Sequence, residues 1–488
     1  MTPLGAVSSG LHLLLARADD GQPVLPAGLP EETVQGAPRP EKLPGRAEVP
    51  SLETPDANPN DLPAQRWGVV APEGEEGEAL LRALAPLVEH RERQQGAPVR
   101  VYRVPANMDA RQAVAWRRDV YQHEAVPQEE RPKYLLLLGD LHQMSMEFQH
   151  VVAHGAYVGR LHVATPSGAP DLAGYRAYVE KVLASESRVG SEEAAEVLLY
   201  CADDGTYATT LGRVLLVEPC AEQVEKRWRR RHPALRSRLL NDESVDREEL
   251  LRTGGAARSG VMLSVSHGLG KPRQGWSSLE QQRASQGALR LASGEALTAE
   301  ELRNTPFLPE GMWFCLACFG AATPPRSAFQ AWLTLLAREG GQKDLSREVL
   351  ESLPKEGERP FLAALPQAAL ANPRGPLAVI GHSDLAWTYG FTAGGSSRSR
   401  ASRIAGALEV LANGSRAGVA LDALMRAYRE VNDGLMAEYQ ERQDARLEGR
   451  PDPVDPVEHA TRWMERNDLR GYVLLGDPAA RLCLRSAG

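Results

Sequence analysis

An α/β architecture, three-layered and built on mostly parallel sheets, is what this sequence predicts, and three observations lead to it. Short runs that are apolar at every position recur along the chain, as in Tyr134-Leu-Leu-Leu-Leu138 and Val261-Met-Leu-Ser-Val265. A strand that is apolar throughout is covered on both faces, which is the mark of a parallel sheet packed between helices. Helical patterns intervene between most of these runs, giving the alternation of an α/β chain. Finally, 488 residues with 42% hydrophobic and 25% charged side chains can bury the cores of two or three units.

In chain order, residues 1–63 read as an extended or partly disordered leader. The stretch Gly21–Pro63 is rich in Pro, Glu, Gly and Ala and lacks apolar periodicity, so order is expected to begin near Trp67. Residues 64–190 form an N-terminal α/β unit, with strands at Trp67–Ala71, Val99–Val104 and Tyr134–Leu138. Its helices fall at Glu78–Glu92, Ala110–His123 and Leu172–Ser185. Residues 191–488 form a larger unit, with strands at Val197–Ala202, Val214–Val217, Val261–Val265, Met312–Leu316, Leu377–Ile380 and Tyr472–Leu475. Helices are expected at Ala328–Arg338, Ala401–Asn413, Ala420–Tyr439 and Val457–Arg466. Gly254-Gly255, Pro354–Pro360 and Gly394–Ser399 read as loops.

Chemistry in parallel sheets gathers beyond the carboxyl ends of the strands. Two strands here end in reactive side chains: Val261–Val265 runs into Ser266-His267-Gly268, and Met312–Leu316 runs into Ala317-Cys318. An imidazole brought beside a thiol draws off its proton, and the thiolate is the nucleophile. Gly268 gives the backbone a tight turn with an N–H free to meet an oxyanion, and Gly320 with Ala321-Ala322 leaves space beside the sulfur. His267 precedes Cys318 by 51 positions, close to the separation found in caspase-type enzymes.

At these residues the chain resembles the gingipain-type cysteine peptidases and the related CHAT domains of the caspase–hemoglobinase fold. Tyr134-Leu-Leu-Leu-Leu-Gly-Asp140 is similar to a strand end of that family, and Tyr157-Val-Gly-Arg160 with Tyr175–Lys181 to a following strand and helix. Ser266-His267-Gly268 resembles the histidine motif, Gln286–Thr298 a segment of CHAT domains, and Ala317-Cys318 the nucleophile position. Pro376–Gly381 and Leu475-Gly-Asp-Pro-Ala479 resemble the family's late strands. The resemblance implies a caspase-like catalytic domain that hydrolyses peptide bonds through a thioester. Gly268 and Cys318 would supply the oxyanion N–H groups, His267 would protonate the leaving amine, and neither cofactor nor metal would be needed. The partners it implies are a protein or peptide substrate and a regulatory protein or ligand. The same fold without activity, an inactive scaffold or sensor, is the alternative.

For the specificity pocket, Asp384 and Trp387 after the Leu377–Ile380 strand and Glu280 after the histidine are the candidates, giving a weak preference for a basic residue on the acyl side. Arg252 and Arg258 would then be points of self-cleavage. Other constellations carry less. Gly381-His-Ser383-Asp-Leu385 lacks the closing glycine of a serine elbow, and only His459 follows it. His142, His150, His154 and His162 surround Glu147 without a His-Glu-x-x-His pattern. Cys315 and Cys318 form a single Cys-x-x-Cys with no second pair to complete a zinc site. Glu225–His232 is basic around Trp228, but a net charge of -8 argues against nucleic acid as a partner. The run Leu11–Ala16 has no basic residue before it and makes a poor secretion signal. No stretch is apolar enough for a membrane, and five cysteines make no disulfide framework, so a cytoplasmic protein is expected.

Overall fold

Every residue of Tyr134–Leu138 is buried, as a doubly covered strand requires, and around this run the chain assembles one sheet of ten strands. The computed structural model describes residues 10–30, 33, 58–188, 194–241, 245–339, 343–392 and 399–485. The strands are β1 (Trp67–Pro72), β2 (Arg100–Val104), β3 (Tyr134–Leu138), β4 (Tyr157–Leu161), β5 (Glu196–Cys201), β6 (Arg236–Leu240), β7 (Val261–Val265), β8 (Met312–Leu316), β9 (Ala378–His382) and β10 (Tyr472–Gly476). Their spatial order is β2-β1-β3-β4-β10-β9-β8-β7-β5-β6. All neighbours are parallel except β9 and β10. The fold class expected from the sequence is therefore the one observed.

That single antiparallel pair reverses the sheet. β10 runs with β1–β4, while β5–β9 run against it, so the two halves direct their carboxyl ends to opposite edges. The motif Leu138-Gly-Asp140 opens on one edge, and His267 and Cys318 follow strands that end on the other.

Several elements differ from the sequence reading. Val214–Val217 is not a strand: it continues the helix Tyr207–Gly212 as a wide turn over Arg213–Val217. A four-residue apolar run fits either structure, and here Arg213 bonds both Asp203 and Glu218 from the helical surface. β6 escapes the sequence reading because Arg236-Ser-Arg-Leu-Leu240 is an edge strand, mostly solvent-facing and charged. Gly254 and Gly255 lie inside the helix Arg247–Ala256, not in a loop. A side chain at Gly254 would meet the Phe307 ring at 2.9 Å, so close packing is the reason for glycine there.

Order also begins earlier than Trp67. Residues 10–30 form a hairpin in which Gly10–Leu11 pairs with Leu29–Pro30, and Leu11, Leu13, Leu14 and Leu15 are buried in the main core. The rest of the leader stretch, apart from Thr33 and residues 58–63, lies outside the described residues, as does the Gly/Ser-rich run before Ser399.

Candidate active site

β7 and β8 pair in parallel with Val265 opposite Leu316, and Ser266 N–H continues the ladder to Leu316 O at 3.2 Å. His267 and Cys318 thus leave adjacent strands at the same level. Gly268 packs directly on the backbone of Cys318: a Cβ there would lie 1.9 Å from Cys318 O. Only glycine permits that approach, so close contact rather than a left-handed turn explains the residue. Phe319, next to the thiol, takes φ +56°, a left-handed conformation uncommon for an aromatic residue.

The imidazole is held from one side. Its Nε2 lies 2.9 Å from Thr206 Oγ1 and 3.6 Å from Asp204 Oδ2. Asp204 in turn accepts from the hydroxyls of Thr206 and Thr209 at 2.8 and 2.7 Å and pairs with Arg290. The other ring nitrogen, Nδ1, is buried and has no hydrogen-bond partner among the described residues. Burial lowers the His267 pKa to about 4 despite the Asp204 charge, so the ring is neutral near pH 7. Burial pushes the Cys318 thiol well above its ordinary pKa. Its Sγ accepts from Ala386 N–H at 3.2 Å, and no hydrogen bond joins it to the imidazole.

The backbone N–H groups of Gly268 and Cys318 converge on one oxygen, the carbonyl of Leu14, at 2.8 and 3.1 Å. Leu14 N–H donates to Ala386 O at 3.2 Å, Leu13 bridges Trp387 in antiparallel fashion, and Thr388 N–H donates to His12 O at 3.3 Å. Beyond Leu14 the chain continues as Leu15–Arg17, parallel to Gly268–Gly270. The hairpin arm therefore crosses in front of His267 and Cys318.

The proposed pocket residues separate. Asp384 does lie beside the site, yet its carboxylate accepts Ala328 N–H and Leu385 N–H, both at 2.7 Å. With both oxygens so used and burial raising its pKa to about 6, it is not a free anion for a basic side chain. Trp387 is fully buried, packed edge-on against Phe329 and Trp332, and offers its backbone to Leu13. Glu280 is exposed on the helix Leu279–Ser285 and lines a separate cavity with Asp140 and Arg283. Arg252 sits in a helix against Glu249, and Arg258 pairs with Glu310, so neither lies in an extended cleavable loop.

The sequence reading missed Asp204, Thr206 and the Leu14 carbonyl. Asp204 had a signal, since Asp203-Asp204 follows β5, the parallel neighbour of β7. The other constellations are dispersed. Ser383 Oγ bonds Gly471 O, while His459 pairs with Glu438. His162 bonds Tyr175, and no group of three metal-binding side chains gathers among the described residues. Cys315 sits within β8, and all five cysteines are free thiols. In the basic run, Trp228 is buried, Lys226 and Arg229 pair with Glu222 and Glu225, and Arg231 pairs with Glu409, so stacking on bases has no exposed ring.

No protein-family model matches the chain, and no curated protein matches it. Among solved structures it is similar to the Arg-specific cysteine proteinase gingipain R, with 11% identity, TM-score 0.49, and 89% of this chain against 80% of that one. The Saccharomyces cerevisiae separase–securin complex matches at 12% identity and TM-score 0.28, over 71% of this chain and 15% of the other. A 5,10-methylenetetrahydrofolate dehydrogenase from the silkworm Bombyx mori matches at 7% identity and TM-score 0.21, over 51% and 71%. Among the described residues no helix is long and apolar enough to cross a membrane.

Proposed function

We propose that the chain is a cysteine endopeptidase in which Cys318 attacks a peptide carbonyl and His267 carries the proton. The observation that supports this reading above all is the pair of N–H groups, Gly268 and Cys318, aimed at a single carbonyl oxygen beside the thiol. Two backbone donors at 2.8 and 3.1 Å are the preorganised arrangement that stabilises a tetrahedral oxyanion. A buried structural cysteine requires no such pair.

The remaining groups fit the steps. The thiol proton passes to Nδ1 of His267, the ring nitrogen without a partner, while Nε2–H faces Thr206 and the Asp204 carboxylate. The thioester C–S bond forms, the peptide C–N bond breaks, and His267 delivers the proton to the departing amine. Water, deprotonated by the same nitrogen, then releases the acyl group. Asp204 positions the ring and favours the imidazolium that forms in each half-reaction. A regulated protease follows from the burial of the thiol, since a substrate must displace whatever covers it.

The test is labelling of the full chain by a peptidyl acyloxymethyl ketone, read by intact mass. Cys318→Ala abolishes labelling, and His267→Ala slows it by about 100-fold, a typical worth of general acid–base catalysis. Labelling that persists in Cys318→Ala removes the assignment of the nucleophile. A folded chain that never labels or hydrolyses a peptide, with the cleft opened as described below, leaves the inactive scaffold in its place.

A further inference from the structure

We propose that residues 12–17 lie in the cleft in the register of a substrate. Leu14 stands on the acyl side of the scissile position, so the protease selects an apolar, leucine-sized residue there and is closed in cis by its own hairpin. The inference rests on the peptidase reading and adds to it a substrate class and a mode of control.

Three features set the register. The Leu14 carbonyl occupies both oxyanion donors, so the bond presented to the thiol is Leu14–Leu15. His12–Leu14 adds to Ala386–Thr388 as an antiparallel strand: Leu14 N–H to Ala386 O, Leu13 opposite Trp387, Thr388 N–H to His12 O. Addition of an extended peptide to a free backbone edge is a general way to bind chains of varied sequence, with pockets reading individual side chains. Third, Leu13, Leu14 and Leu15 are all 0% exposed, so the positions on either side of the bond are enclosed apolar sites. A charged side chain at Leu14's place would be buried without a partner, because the nearby Asp384 carboxylate is committed to Ala328 and Leu385.

The hairpin is anchored on both sides of that bond. Upstream, Gly10–Leu11 pairs with Leu29–Pro30. Downstream, Leu15–Arg17 pairs with Gly268–Gly270, Val24 N–H bonds Leu15 O at 2.9 Å, and Arg17 pairs with Glu348. A leaving amine held in this way stays beside the thioester, which favours resynthesis of the bond over hydrolysis. The segment thus acts as a slow substrate and competitor present at high local concentration. If it is cut, the Leu14–Leu15 C–N bond breaks, the carbonyl passes to Cys318 sulfur, and the thiol proton travels through His267 to the Leu15 nitrogen. Water then yields a Leu14 carboxylate.

The experiment compares full-length wild type, Leu14→Ala and Leu14→Asp, each with a Cys318→Ala partner, on peptides bearing Leu, Arg or Asp at the acyl-side position. Opening the cleft is expected to raise turnover of the leucine peptide by about 10- to 100-fold in Leu14→Asp and less in Leu14→Ala, as loss of an intramolecular competitor predicts. Leucine should be preferred over arginine by about 100-fold. Should Leu14→Asp not fold, a synthetic peptide of residues 10–17 added to Leu14→Ala must inhibit competitively. An arginine preference in any active chain, equal turnover by wild type and the Leu14 variants, or no inhibition by that peptide overturns the inference while leaving the peptidase reading intact. If every variant is folded by circular dichroism yet none turns over a peptide or labels at Cys318, the peptidase reading itself fails.

Discussion

Two of the buried polar centres in this molecule, one where the sheet reverses and one where β7 and β8 end, are built on opposite principles. At the reversal, Arg91 on the helix Glu75–Gln95 bonds Asp477 through Nε and Nη2 and Glu186 through both Nη atoms. Asp477 also accepts from Trp67 Nε1 at 2.9 Å, and its own N–H donates to Tyr178 OH at 2.6 Å. Every charge there faces its complement, and the cluster ties β1 and two helices to the turn after β10. In the cleft, the thiol and the imidazole are neutral, and one ring nitrogen has no partner. The Gly268 and Cys318 N–H groups there donate to the hairpin's Leu14 carbonyl. The first centre is saturated and the second is left open, a contrast that fits the peptidase reading proposed above.

The largest effect should come from breaking the saturated centre. Arg91→Ala strands Asp477 and Glu186 in the interior and is expected to cost about 3–5 kcal/mol, measured by urea denaturation. The Arg91 charge also holds the Glu186 carboxyl well below the ordinary range. Its contribution is therefore present above the unfolded value of about 4.3 and is lost as the pH falls below it. Glu186→Gln should lose that acid-side loss of stability. A cost under about 1 kcal/mol for Arg91→Ala would mean the network is not what binds the two halves.

Next in size is a change inside the open centre that alters reactivity but not the fold. Asp204→Asn keeps the hydrogen bonds from Thr206 and Thr209 while removing the charge that raises the imidazole's basicity. In the Leu14→Asp background, kcat should fall by about 10- to 100-fold with KM little changed. The acid limb of the pH–rate profile should move to lower pH, because the ring loses its anionic neighbour while Arg290 remains. A fall in rate with no movement of that limb would make Asp204 a packing residue only.

Much of this contrast was legible before any coordinates. β3, β7 and β8 are readable to the residue because a doubly buried strand must be apolar throughout, and β7 and β8 deliver His267 and Cys318. The edge strand β6 was not readable, since Arg236 and Arg238 satisfy solvent rather than a core. Val214–Val217 was misread because four apolar residues carry no period. The carboxylate of Asp384 is taken up by Ala328 and Leu385 N–H, and nothing in sequence tells which backbone N–H groups a carboxylate will meet. The Leu14 carbonyl was out of reach for a similar reason: a main-chain oxygen leaves no signature in residue type. What the sequence does contain is the apolar run Leu11–Ala16, which has no basic residue before it and is too short for a membrane or a secretion signal.

The smallest predicted effect lies in the wall of the cleft. Asp468 is buried, and its Oδ1 accepts Trp387 N–H at 2.7 Å, fixing the backbone against which Leu13 pairs. Burial raises its pKa to about 8, and no Arg stands over it as Arg91 stands over Glu186. The sign is opposite to that of Glu186. A carboxyl whose folded pKa lies above its unfolded value keeps a proton that the unfolded chain has lost, so stability declines as the pH rises from about 4 towards 8. Asp468→Asn retains a carbonyl for Trp387 N–H but cannot ionise. Relative to wild type it should gain about 1.4 kcal/mol more at pH 6 than at pH 5, read from urea midpoints at the two pH values. An equal difference at both would show that the folded Asp468 carboxyl is already ionised and its pKa is not raised.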